Sequence, residues 1–90
     1  MGGRILGEKL REVGRVSHFF GRINVAIIEL KDAISVGDQI LIKGPTTAIE
    51  QIVDSMEIEH VKVERASAGQ SIGMKVNNHV RENDTVIMTD

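Results

Sequence analysis

Ile34-Ser35-Val36-Gly37-Asp38-Gln39-Ile40 is the stretch on which the reading of the fold turns. A glycine precedes a polar residue, and an aliphatic residue follows shortly after. The same arrangement recurs in Ala68-Gly69-Gln70-Ser71-Ile72 and, with asparagine for glycine, in Glu82-Asn83-Asp84-Thr85-Val86. Glycine, and after it asparagine, occupies positive φ at little steric cost. Gly37, Gly69 and Asn83 are therefore expected in tight turns, each delivering the chain into a strand. Their expected role is to shape the backbone, not to touch a ligand.

Outward from these turns the chain is a series of short β-rich runs. Val13–Phe20 comes first, Gly21–Asn24 turns it, and Val25–Leu30 follows with Ala26, Ile28 and Leu30 on one face. Ile40-Leu41-Ile42 ends at Gly44-Pro45. Ile72, Met74 and Val76 alternate with Ser71, Gly73 and Lys75, and Val86-Ile87-Met88 comes last. Short strands at roughly 8–12-residue spacing read as a small sandwich or barrel. One segment reads two ways. Thr47-Ala48-Ile49-Glu50 has the form of a capping box, and Ile49, Ile52, Val53 and Met56 recur at helical spacing, so pattern alone makes 48–56 a helix. Met56-Glu57-Ile58-Glu59 alternates like a strand.

Ninety residues with 41% hydrophobic and 27% charged content describe one soluble-type globular domain. Residues 1–11, rich in glycine and charge, read as a flexible arm before a single domain at 12–90. The absence of cysteine excludes a disulfide framework and a thiol nucleophile. A net charge of −2 excludes a polybasic surface binder, although the halves differ. Residues 1–43 carry seven bases and five acids, and 44–90 carry four bases and eight acids. The longest apolar run, Val25–Ile28, is far too short to span a bilayer. A cytoplasmic protein without membrane contact is expected.

The order of the pieces (34–40, then Met56-Glu57-Ile58, then 66–73, then 80–86) resembles the second domain of translational GTPases such as elongation factor Tu. The likeness spans roughly residues 12–89. It implies an all-β fold, a small closed six-stranded antiparallel β-barrel, and makes residues 48–58 one long strand. No G-x-x-x-x-G-K-[ST] loop is present, so GTP binding by this chain is not expected. A similar barrel resembles the C-terminal module of U32-type peptidases, where it is accessory and not catalytic.

Candidate chemistry is sparse. His18, His60 and His79 show no metal-chelating spacing, no serine stands on a nucleophile elbow, and Glu57 and Glu59 share one strand face. Neither catalysis nor a metal or other cofactor is expected. The translation-factor resemblance implies a contact for an aminoacylated RNA end at Glu57, His60 and Ser71. Glu50, Asp54 and Glu59 surround Glu57 with negative charge, which repels phosphate. Arg4, Lys9, Arg11, Arg15 and Arg22, faced only by Glu8 and Glu12 in the sequence, form a candidate basic patch. Of Phe19 and Phe20, one ring is expected inside and one outside. The expected function is a non-catalytic binding module that presents a rigid surface to a protein or an RNA-containing partner. The alternatives are a protein–protein adaptor, a homo-oligomeric structural module, or an accessory module of a separately encoded U32-type peptidase.

Overall fold

A computed structural model describes residues 10–89 of the chain, and among them there is no helix. The strands are β1 (Arg11–Phe20), β2 (Val25–Leu30), β3 (Ile34–Ser35), β4 (Gln39–Gly44) and β5 (Thr47–Ile52). After them come β6 (Met56–Ile58), β7 (Val61–Val63), β8 (Arg65–Ala66), β9 (Ser71–Lys75) and β10 (Thr85–Met88). Eight form one antiparallel sheet in the order β5-β4-β10-β1-β2-β9-β6-β7, and β3 pairs with β8 separately.

One face of the large sheet supplies almost the whole core. Val13 and Val16 of β1, Ala26, Ile28 and Leu30 of β2, Ile40 and Ile42 of β4, Ile72 and Met74 of β9, and Val86 and Met88 of β10 are all buried. Met56 of β6, Ile34 and Ala66 of the small sheet and the loop residues Val53, Val76 and Val80 complete it. The period-2 pattern puts these residues on one side, and an apolar face of that extent must be removed from water. With no second layer to cover it, the sheet curls over its own side chains.

Three turns hold the curl with one repeated device. Asp38 donates its backbone N–H to Ser35 O, Gln70 to Ser67 O, and Asp84 to Arg81 O. In each turn the third residue has positive φ: Gly37 at +99°, Gly69 at +90° and Asn83 at +75°. One positive φ at the third position of a hydrogen-bonded turn is the type II geometry. The fourth side chain reaches back to the first residue: Ser35 N–H donates to Asp38 Oδ2, Ser67 N–H to Gln70 Oε1, and Arg81 N–H to Asp84 Oδ2, at 2.7–2.8 Å. Each turn then docks reciprocally on a distant residue. Gly37 N–H donates to Val53 O and Val53 N–H to Asp38 O; Gly69 and Gln70 hold Leu30 the same way, and Asn83 and Asp84 hold Val16.

The closed six-stranded barrel does not form. The sheet is open, and its terminal strands β5 and β7 are not paired with each other. The 48–58 segment explains why. It is neither a helix nor one strand: Val53 extends the β4–β5 register as a bulge against Gly37 and Asp38, and the chain then breaks before β6. β5 and β6 therefore end up on opposite sides of the sheet, β5 on β4 and β6 between β9 and β7. Within β5 the strand period defeats the helical one: Thr47 and Gln51 face inward with half-buried Ile49, while Ile52 is 54% exposed. Gln51 partly bridges the gap, donating to Lys75 O and accepting from Asn77 N–H.

Candidate functional site

The outer face of a one-layer sheet should be polar. Here part of it is not. Val25 and Ile27 are only half-buried on the outside of β2, opposite the buried Ala26, Ile28 and Leu30. In register beside them stand Phe20 of β1 against Val25 and Gly73 of β9 against Ile27, and Glu57 of β6 lies across from Gly73. Ile23 projects from the β1–β2 turn at 60% exposure, and Phe20 is 45% exposed. These residues line a groove of about 490 Å³ whose rim carries Glu57, Glu59, His60 and Ser71.

Gly73 makes the groove deep. A Cβ there would meet only Val25 Cγ1 and Ile27 Cδ1, at 3.6 and 3.7 Å, so the hollow is not forced by crowding. A glycine inside a strand marks a place where another group approaches the backbone closely. The far wall is strained. Glu59 and His60 form the two-residue loop between β6 and β7, with φ of +51° and +68°. Consecutive positive φ values define a type I′ hairpin, which favours Asn-Gly. Residues kept in such a conformation without glycine cluster at functional sites.

Glu57, His60 and Ser71 are thus brought together in one groove. Sequence reading missed its floor, Ile23, Val25, Ile27 and Gly73. The available signals were the unbroken run Val25-Ala26-Ile27-Ile28, which is apolar on both faces of a strand, and a lone glycine between Ile72 and Met74.

The basic patch is dispersed. Arg4 and Lys9 lie outside the described residues. Arg11 bonds Asp32 at 3.4 Å, Arg15 bonds Glu29 at 3.3 Å, and Lys31 bonds Glu12 at 2.7 Å, which leaves Arg22 in the β1–β2 turn. The pairing of β1 with β2 supplies Glu29, and Asp32 lies two residues past the end of β2. The two phenylalanines divide: Phe19 packs on the core and edge-on to His79, with centroids 4.7 Å apart, while Phe20 meets His18 at 4.5 Å on the outside. His18 also contacts Glu82, with Nδ1 3.1 Å from the carboxylate. His79 thus lies apart, while His18 meets through Phe20 the groove that His60 lines.

Comparison with known proteins replaces the family expectation. No protein-family model matches the chain. An uncharacterized protease of Methanocaldococcus jannaschii is 46% identical over 78 residues, which are 86% of this chain and 19% of that protein. A collagenase of Porphyromonas gingivalis is 38% identical over 80 residues, which are 87% of this chain and 22% of that protein. The chain thus spans about a fifth of the length of the curated relatives it matches. Among solved structures, the C-terminal domain of a Geobacillus thermoleovorans putative U32 peptidase superposes with a TM-score of 0.80 at 15% identity, covering 99% of both chains. Its selenomethionine variant gives 0.81 at 16% identity, over 84% of this chain and 96% of that one. These likenesses point to the C-terminal domain of U32 peptidases and away from the second domain of translational GTPases. The error has a physical source. The turns that carried the resemblance are a general device for leading a chain into a strand, so they do not distinguish one β-rich family from another. The family basis for an RNA-end contact at Glu57, His60 and Ser71 goes with it.

Proposed function

We propose that this chain is a non-catalytic accessory module of a U32-type peptidase and that it works by docking a protein surface in the Phe20–Gly73 groove. The observation that carries the reading is the apolar outer face of β2 and β9. The core is already complete beneath it, so burying Val25, Ile27, Phe20 and Ile23 against a second protein is the gain left to make. The relatives support the peptidase context. They are named protease and collagenase, and this chain matches about a fifth of their length. The partner we propose is the catalytic part of such a peptidase.

Charge specifies what it presents. Two of the groove's lining residues, Glu57 and Glu59, are acidic, and none is Lys or Arg. Lys62 and Lys75 stand in register beside the groove, yet neither pairs with these glutamates among the described residues. The complementary surface is an aliphatic or aromatic side chain flanked by Lys or Arg.

The test is direct binding of this chain to the separately expressed catalytic part of a matching peptidase, followed calorimetrically. Wild type should bind. Gly73→Val, whose Cβ would make only ordinary van der Waals contacts, should leave folding intact and weaken binding about tenfold or more. Undiminished binding by Gly73→Val and by Ile23→Asp would refute the groove. Hydrolysis of gelatin by this chain alone would refute the non-catalytic reading.

A further inference from the structure

A second cleft, of about 350 Å³, lies between the β4–β5 turn and the segment entering β10, away from the groove. Thr46, Thr47, Ala48, Ile49, Asn78, His79 and Arg81 line it, with no carboxylate among them. Its donors are arranged by bonds already made. Arg81 Nε donates to Thr46 Oγ1 at 3.0 Å, which ties the two walls together and leaves the end of the guanidinium without a partner among the described residues. Because Thr46 Oγ1 accepts that bond, its own hydroxyl proton is available. Asn78 Oδ1 accepts the His79 N–H, so the donor side of the amide is available too. The His79 ring is held edge-on against Phe19. The Asp84 carboxylate is taken up inside its turn by the Arg81 N–H, and Glu82 by His18.

Thr47 is the independent sign of a ligand. It is 6% exposed, and its hydroxyl has no hydrogen-bond partner among the described residues. A buried hydroxyl left unpaired is destabilising, whereas valine would fill the same space without that penalty.

We propose that this cleft binds a carboxylate, of the kind carried by a peptide C-terminus or an acidic side chain. The remaining edge of the Arg81 guanidinium offers two parallel N–H groups to a planar two-oxygen acceptor, and the Thr46, Thr47 and Asn78 donors complete the shell. This site is separate from the docking groove and stands without it.

The test is a titration of the full isotope-labelled chain, read by amide chemical shifts. The probes are N-acetylglycylalanine, its C-terminal amide, a C-terminally amidated acetyl-Asp-Ala and inorganic phosphate. The free acid should give saturable shifts at Thr46, Thr47, Asn78, His79 and Arg81 in the millimolar range, the plain amide none, and phosphate weaker ones. Binding of the aspartyl amide as tight as the free acid supports carboxylates in general, and its failure supports the peptide terminus. Arg81→Gln should weaken the free acid about tenfold or more. Thr46→Val provides the same loss should Arg81→Gln fail to fold. Thr47→Val should raise the melting temperature while weakening binding, a pair of effects that a merely structural threonine does not produce. No saturable shift up to about 50 mM acid, an equal response to the plain amide, tighter binding of phosphate, or unchanged affinity in folded Arg81→Gln would each overturn the proposal.

Discussion

Asn83 occupies at φ +75° the place that glycine holds in the two matching turns. Asparagine tolerates this conformation, and glycine tolerates it better. Asn83→Gly should be neutral or stabilising by up to about 1 kcal/mol, and Gly37→Val should destabilise by about 1–2 kcal/mol, both read from urea melts. Equal losses would show that the two positions do not share a backbone geometry. Gly44 is constrained differently. A Cβ there would overlap the carboxylate of Asp84, which is 2% exposed and closes the third turn. Gly44→Ala must displace that carboxylate and leave the Arg81 N–H without its partner. A loss of about 2–4 kcal/mol is expected. An unchanged melt would mean that Asp84 does not hold the turn.

Among elements, the β6–β7 hairpin stores the most strain, since Glu59 and His60 both sit at positive φ. Replacing them by Asn-Gly supplies the residues that a type I′ loop prefers. Stability should rise by about 1–2 kcal/mol, and docking at the groove should weaken because His60 and Glu59 line it. A variant that is no more stable would contradict the type I′ assignment. The same element marks where sequence reading stops. Alternation over Val25–Leu30 showed β2 and its inward residues, because the period of a strand is local. Local pattern could not divide 47–58 correctly. That segment stays on β4 through Val53, which bonds Gly37 and Asp38, and only then departs to pair as β6 with β9, a partner that no local pattern reveals. The ion pairs of Arg11 and Arg15 were hidden for a similar reason, since partners 21 and 14 residues away meet only once β1 and β2 have paired.

At the scale of the whole molecule, one buried cluster joins residues from Val13 to Met88. No part of the described chain has a core of its own, so urea unfolding should follow a single transition by fluorescence-independent probes such as circular dichroism and amide shifts. Two separated transitions would show that the β3–β8 pair or the β6–β7 edge unfolds independently. A core built from one curled sheet also leaves the outer face free to be shaped for another purpose. Glu57, His60 and Ser71 were legible as a cluster only through a family likeness that proved mistaken, and the apolar floor between them required the register of β2 with β9.

The most direct measurement of the docking account is the hydrogen-exchange footprint left on this chain by the catalytic part of a matching peptidase. Docking in the groove should concentrate protection at Phe20–Ile27, Glu57–His60 and Ser71–Gly73 and leave the Thr46–Ile49 and Asn78–Arg81 cleft unchanged. Protection confined to the opposite edge at β5, or none at saturating partner, would contradict it.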